Sequence, residues 1–169
     1  GFGMRVLAHS RSQSLPTADA PQPEWCALDE LLDRSDFVSV HVPGGAETHH
    51  LLGVDKLRRM RRDAILINTA RGPVIDERAL VEVLGDGHLG GVGLDVYEHE
   101  PSVSAELLAW DRVVVLPHVG SASLATREAM ATAVAANAIA FATRRRGPNT
   151  VNPEVYGSAA YRSRLTAAR

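Results

Sequence analysis

Short apolar runs alternate along the chain with stretches in which apolar residues recur three or four positions apart. The apolar runs have the length of β-strands and lie at 4–10, 36–43, 64–69, 90–96 and 112–117. The periodic stretches have the length and spacing of amphipathic helices and lie at 27–35, 54–63, 76–87 and 124–146. Strands separated by helices predict parallel pairing through right-handed crossovers, and therefore an α/β fold with a doubly wound parallel sheet.

Residues at the ends of these elements support the boundaries. Asp76 is a good N-cap for the helix at 76–87, which ends at glycine, and Pro43 stops the second strand. The run at 64–69 is apolar throughout most of its length, which predicts a strand buried on both faces.

Polar side chains collect where the predicted strands end. They are His9, Ser10, Arg11, His41, Asn68, Thr69, Arg71, Asp95, Glu100 and His118. In a doubly wound sheet, ligands bind beyond the carboxyl ends of the strands. We therefore expect a crevice at this edge that holds a cation, two carboxylates and two imidazoles.

Composition narrows the class of protein. The chain has 169 residues, of which 45% are hydrophobic, with a formal net charge of −2, which argues against disorder and against a nucleic-acid partner. No apolar run is long enough for a membrane span, so no membrane association is expected. The single cysteine excludes an intramolecular disulfide and favours a reducing compartment, with a cytoplasmic location as the default.

No metal site is expected. Glu98, His99, Glu100 and His118 form an alternative ligand set, but no helical spacing between histidines supports it. The neighbours His49 and His50 would point in different directions on any regular element, so they receive no role. His41 is expected to be a hydrogen-bonded structural histidine.

Three motifs then point to a known family. "NTARG" at 68–72, "GLDVYEHEP" at 93–101 and "LPHVGSAS" at 116–123, in this order and spacing, resemble the nucleotide-binding domain of the D-isomer-specific 2-hydroxyacid dehydrogenases. The segment at 35–53 matches the one that precedes them in the family. The resemblance runs from the strand ending in His9 to residue 155, and implies a Rossmann-like fold.

The resemblance also implies a catalytic set. Arg71 would bind the substrate carboxylate and polarise its carbonyl, since a guanidinium fork suits a planar 2-oxo acid. His118 would donate the proton to the carbonyl oxygen, and Glu100 would pair with His118. A nearby carboxylate favours the protonated imidazole, which keeps a proton available near neutral pH.

Further residues match family positions that line the cofactor. They are Val42, Pro43, Thr69, Ala70, Asp95 and Gly120. Asp95 would contact the nicotinamide carboxamide, with the capping of a turn after the strand as its alternative role.

The residues after the predicted strand at 4–10 bear on the choice of cofactor. No acidic residue that would bind ribose hydroxyls lies between positions 9 and 18. Ser10, Arg11 and Ser12 could bind a 2′-phosphate, which resembles the NADP(H)-using glyoxylate and hydroxypyruvate reductases of the family. NADP(H) is therefore favoured, and NAD(H) is the alternative.

The family's glycine-rich turn is not found. "GFGMRV" runs straight into a strand, so we expect a Rossmann-like sheet lacking the first strand, the glycine-rich turn and the first helix. The strands at 4–10 and 64–69 would then flank the central position. Residues 1–155 would form a partial dinucleotide-binding domain and 156–169 a tail, with no substrate domain. The sequence would then be part of a longer protein, a truncated form or a natural fragment.

Together these observations predict an oxidoreductase. It would transfer a hydride between NAD(P)H and a 2-oxo acid, with glyoxylate or hydroxypyruvate favoured, and the fragment would be inactive alone. The resemblance implies a homodimer for the parent. A non-catalytic dinucleotide-binding or corepressor-like interaction module is the alternative.

Overall fold

Six short strands, all parallel, form two sheets within residues 2–12 and 22–166, which are those that the computed structural model of the protein describes. β1 (Leu7–Ala8) pairs with β2 (Glu24–Trp25). The second sheet has the order β3-β4-β5-β6, formed by Phe37–Val40, Ile65–Asn68, Gly91–Leu94 and Val113–Val115. The expected α/β architecture with parallel strands is confirmed.

Three helices form a layer against the four-stranded sheet. α1 (Leu28–Arg34) packs on α2 (Val54–Arg59), and α2 packs on α3 (Glu77–Gly85). Their fully buried leucines, including Leu32, Leu57 and Leu80, join the core cluster beneath the sheet. Within each helix, apolar residues recur three or four positions apart, which is the pattern that predicts the three helices. α4 (Ala105–Leu108) is a single turn before β6.

The expected position of the strand at 64–69 is wrong. β4 pairs with β3 on one side and with β5 on the other, so it lies inside its sheet. The strand Glu24–Trp25 accounts for the difference. It lies beside β1 and was not expected, so each later strand occupies a position one further along the order than expected. The edge strands of the larger sheet are β3, Phe37–Val40, and β6, Val113–Val115, so β3 and not β4 is the open edge on the side of the first strands.

Burial of β4 on both faces is also wrong. Leu66 and Asn68 are buried on the face that meets the helices, whereas Ile65 and Ile67 on the other face are only half-buried. The same alternation continues into β3, where Val38 is buried and Phe37 is mostly exposed. The helix layer α1–α3 therefore accounts for one face only.

The compact unit that contains both sheets ends at Gly120, and a second unit follows from Ser121. The second unit contains α5 (Leu124–Ala142), the 3-10 turn Pro153–Gly157 and α6 (Ala159–Thr166). The helix expected at 124–146 is thus confirmed but shorter, and α6 lies in the predicted tail. Within the described residues, none of the helices combines the length and hydropathy that crossing a bilayer requires.

Asp76 caps α3 as expected. Its Oδ1 accepts hydrogen bonds from the backbone N–H groups of Arg78, at 3.0 Å, and Ala79, at 3.1 Å. These are two of the amides that a helix leaves without an intrahelical partner at its start. The cap fixes where the helix begins, and so where the preceding loop must end.

We expect Asp76→Ala to lower the free energy of unfolding by about 1 kcal/mol, because both amides lose their acceptor. Asp76→Ser keeps a capping oxygen and should remain close to the parent. Urea unfolding followed by circular dichroism measures both. An unchanged midpoint for Asp76→Ala would contradict the role of the cap.

Candidate active site

The loop after β4 is shaped by a buried amide. Asn68, the last residue of β4, is 1% exposed. Its Nδ2 donates to the carbonyl of Arg71 at 2.9 Å, and its Oδ1 accepts from the backbone N–H of Ala70 at 3.0 Å. One side chain thus satisfies two backbone groups of the turn that carries Arg71, which a buried amide must do to offset its desolvation.

Gly72 lets this loop approach a second one. A Cβ built on Gly72 would lie 1.8 Å from the carbonyl oxygen of Tyr97 and 2.5 Å from the amide nitrogen of Glu98. No side chain fits at such distances, so the backbone after Arg71 lies directly against the "YEHEP" segment. This contact brings the residue before Gly72 close to Glu100.

Arg71 lies over a glycine turn. A Cβ on Gly44 would lie 2.9 Å from Cγ of Arg71, so the arginine stem rests on the turn where glycine leaves room. Its Nη1 donates to the carbonyl of Ala70 at 2.6 Å, and the residue is exposed. Arg71 and Gly44 line a cavity of about 610 Å³ together with Thr48, His49 and Pro73.

The loop after β6 is shaped by a buried carboxylate. Asp95 follows β5 and is 3% exposed. Its Oδ1 accepts from the amide of Val119 and its Oδ2 from the amide of Gly120, both at 2.7 Å. A Cβ on Gly120 would lie 3.0 Å from Oδ2. Asp95 therefore caps a turn, but this turn follows His118 after β6 and not its own strand β5, and its contact to a carboxamide stays a prediction.

His118 and Glu100 are paired. Nδ1 of His118 donates to Oε2 of Glu100 at 2.8 Å, and Oε1 of Glu100 accepts from the amide of Tyr97 at 3.1 Å. Hydrogen bonds from His118 and from this amide, with the nearby charge of Arg71, hold the pKa of Glu100 below its usual value. The carboxylate is charged at neutral pH, and its interactions are lost only as the pH falls through that lowered value.

These contacts define what the site can do chemically. An ionised carboxylate only accepts hydrogen bonds, so the imidazole of His118 carries its proton on Nδ1 in the neutral form and on both nitrogens when charged. Nε2 has no hydrogen-bond partner among residues 2–12 and 22–166. It is therefore available to pass a proton to a molecule bound beside Arg71.

A larger cleft lies along the open edge of β3. Its volume is about 910 Å³, and it is lined by five of the expected cofactor residues: Ser10, Arg11, Ser12, Val42 and Pro43. Arg11 forms an ion pair with Glu47, another lining residue. A guanidinium and hydroxyls beside an apolar wall suit a phosphorylated nucleoside.

The expected single crevice is divided in two. His41 lines the larger cleft, where its Nε2 is 2.8 Å from Oγ of Ser39, which confirms a hydrogen-bonded histidine. Arg71, by contrast, lines the smaller cavity, and Thr48 borders both. The loop after β3 borders both spaces, since residues 41–43 line the larger cleft and residues 44–46 line the smaller cavity. Thr69 is exposed and Ala70 half-buried, and their cofactor roles stay predictions.

His49 and His50 do not point apart. Their rings stack with centroids 3.9 Å apart, and Nε2 of His50 donates to Oε1 of Glu98 at 2.7 Å. His50 has a φ of 50°, which no helix or strand provides. The expectation failed because it assumed regular backbone for these two residues.

The structural roles of three residues at the site, Asn68, Gly72 and Glu47, were not predicted from the sequence. Asn68 was noted only as a polar strand end, and Gly72 only as part of a motif. Glu47 was not singled out. A buried-strand pattern that ends in Asn is a signal for the first, but the other two depend on distant segments.

Comparisons with known proteins show which family the chain resembles. The family model described as "D-isomer specific 2-hydroxyacid dehydrogenase, NAD binding domain" matches residues 1–120. The glyoxylate reductase of Thermococcus litoralis is 44% identical over 158 residues, which cover 94% of this chain and 48% of that protein. The chain thus spans about half the length of this relative.

Solved structures give the same likeness. An NADPH-dependent glyoxylate/hydroxypyruvate reductase of Sinorhizobium meliloti, solved with NADP and malonate, has a TM-score of 0.77 and 35% identity, over 90% of this chain and 47% of that one. A D-lactate dehydrogenase of Lactobacillus jensenii, solved with NAD+, has a TM-score of 0.74 and 28% identity, over 88% and 48%.

Gly72→Ala should destabilise the protein by at least about 1–3 kcal/mol, since the new methyl group meets backbone that has little room to move. Gly85→Ala is the matched control, because a Cβ there has nothing within 4 Å, and it should be neutral or slightly stabilising. Denaturant unfolding compares the two. Equal effects would contradict the close approach of the two loops.

Proposed function

The chain belongs to the D-isomer-specific 2-hydroxyacid dehydrogenases, and from this membership we propose that it carries the nucleotide-binding region and the catalytic side chains for the NAD(P)H-dependent reduction of a 2-oxo acid. The observation that carries the proposal is the 2.8 Å contact between His118 and Glu100, with the charge of Arg71 beside it. Glyoxylate and hydroxypyruvate are the proposed substrates, in line with the names of similar proteins.

Each side chain has a role that follows from its chemistry. Arg71 offers two parallel N–H donors to the carboxylate of the substrate and places the adjacent carbonyl near the imidazole. His118 donates its Nε2 proton to the carbonyl oxygen as charge develops there. Glu100 accepts a hydrogen bond from Nδ1 and so keeps the ring oriented, with Nε2 directed to the substrate.

The cleft along β3 fits the adenosine end of a nicotinamide dinucleotide. Val42 and Pro43 provide an apolar wall, and Ser10, Arg11 and Ser12 provide donors for phosphate. When bound, the cofactor supplies the hydride that reduces the carbonyl carbon. The Arg11 guanidinium supports a preference for NADP(H), because a 2′-phosphate adds charge that an arginine can pair.

We also propose a homodimer. The long helix α5 leaves Leu124, Val134 and Ile139 mostly exposed, and an apolar surface of this kind is typical of protein contacts. A cytoplasmic location remains a proposal that rests on the single cysteine.

His118→Ala should reduce kcat for glyoxylate by roughly 100- to 10,000-fold, because the proton donor is lost, while NADPH still binds. The complete gene product that contains this chain is assayed by the glyoxylate-dependent loss of reduced-nicotinamide absorbance. His99→Ala is the control, since His99 is exposed, lines neither cavity and has no role in proton transfer. A kcat for His118→Ala within about twofold of the parent would exclude this mechanism.

The choice of cofactor is tested at Arg11 and Glu47 in the same gene product. Arg11→Ala should weaken NADPH about tenfold or more and leave NADH nearly unchanged, because a charge-assisted bond to the 2′-phosphate is lost. Glu47→Gln should strengthen NADPH by up to about fivefold, as expected when an exposed competing ion pair is removed.

Arg5→Ala is the matched control, since Arg5 pairs with Glu24 rather than with a residue lining the cleft. Dissociation constants from fluorescence titration give the ratio for the two cofactors. An unchanged ratio in Arg11→Ala would mean that the 2′-phosphate is not bound there.

A further inference from the structure

We propose that His49, His50 and Glu98 form a binding site for a divalent transition-metal ion of the zinc type. Each residue offers one ligand atom, and these atoms all lie within 4.8 Å of one another. Two imidazoles and a carboxylate form a ligand set that suits Zn²⁺, whereas Mg²⁺ and Ca²⁺ prefer oxygen ligands alone. This proposal is independent of the proposed function.

The backbone brings the two adjacent imidazoles to the same side. His50 adopts φ 50°, and its amide donates to the carbonyl of Pro73 at 2.8 Å, which anchors the turn. The two rings then stack at 3.9 Å with an interplanar angle of 29°. On a strand, neighbouring side chains would point to opposite faces, so this arrangement depends on the irregular backbone.

Two of the proposed ligands, His50 and Glu98, are oriented by groups outside the ligand set. Nε2 of His50 faces Glu98, while its Nδ1 lies 3.7 Å from Oδ2 of Asp76. A histidine ligand typically directs its second nitrogen to a carboxylate, which fixes the tautomer that leaves the other nitrogen free for the metal. The second oxygen of Glu98 accepts from the amide of Glu77 at 3.2 Å, which holds the carboxylate in place.

Metal binding here replaces a proton. In the metal-free protein, Nε2 of His50 donates to Glu98, so an arriving cation takes the position of that hydrogen. A doubly protonated ring then releases one proton to solvent, whereas a neutral ring keeps its single proton on Nδ1, which faces Asp76. His49 is exposed, so its side chain is free to rotate toward a bound ion, for which the bonding distance is about 2.0–2.1 Å. Three protein ligands leave room for water, as in zinc sites with an open position.

A metal ion bound at this site would affect both the cavity that Arg71 lines and the segment that carries Glu100. His49 lines the same cavity as Arg71, so a bound cation adds positive charge at the rim of that cavity. Glu98 lies two residues from Glu100, on the segment that meets the backbone of Gly72. A metal ion at this position would therefore fasten the turn at 49–50 to the segment that carries Glu100.

The test uses the full chain without a histidine tag, after treatment with a chelator. Zn²⁺ titration by calorimetry should show one equivalent bound, and Co²⁺ should give the visible absorption of a low-coordinate site. His49→Ala should weaken binding at least about tenfold. Because His49 is exposed, this variant should keep its fold, which circular dichroism verifies.

Two further variants separate ligation from general surface binding. His99→Ala removes an imidazole next to Glu98 that is outside the cluster, and should bind Zn²⁺ like the parent. Asp76→Asn retains a capping side chain for α3 but removes the charge that faces His50, and should weaken Zn²⁺ binding. Affinity should also fall as the pH drops through the range in which imidazoles gain protons.

The absence of saturable one-to-one binding, or equal affinity in His49→Ala and the parent, would overturn the proposal. In either case His50 and Glu98 form an ion pair without a metal ion, and the ring of His49 only stacks on that of His50. Loss of binding in His99→Ala as strongly as in His49→Ala would equally count against it.

Discussion

The arrangement of the site depends on how two buried polar side chains satisfy backbone groups at the end of the sheet. Asn68 and Asp95 are the buried polar residues of the described chain, and each directly follows or ends a central strand. The amide of Asp95 donates to the carbonyl of Asn68 at 3.0 Å, so the two positions are joined by the sheet itself. Asn68 then bonds to two backbone groups of the loop after its own strand β4, and Asp95 bonds to two backbone groups of the loop after β6. A buried polar group without such partners would cost about 1–3 kcal/mol, so each loop is held in one conformation.

This constraint explains why the catalytic candidates come from different loops yet meet. Asn68 fixes the turn that carries Arg71, and Asp95 fixes the turn after His118. Glu100 belongs to a third segment, which the close backbone contact at Gly72 places against the first. The candidate catalytic side chains are exposed, whereas the side chains that position their loops are buried, and buried, well-packed supports are what hold a site in a precise geometry.

The sequence predicted those features that depend on local chemistry. The helix that begins after Asp76 and the helix at α5 were found from caps and periodicity, and the pairing of Glu100 with His118 came from a motif. The two-residue strand Glu24–Trp25 has no periodicity to detect, and missing it moved the expected open edge from β3 to β4. The contacts of Gly72 and Glu47 join residues 25 and 36 positions apart, so no local pattern reveals them.

The two arginines of the site differ in the state of their carboxylate neighbours. Glu100, near Arg71, already accepts hydrogen bonds from His118 and from the amide of Tyr97, so its charge is largely committed to them. Glu47 instead pairs directly with Arg11. An anion that reaches Arg71 therefore adds a partner, whereas an anion that reaches Arg11 must first displace one. Under the proposed function, binding of a substrate carboxylate at Arg71 would add an ion pair, whereas binding of a 2′-phosphate at Arg11 would exchange one ion pair for another, a balance that salt and a single substitution can shift.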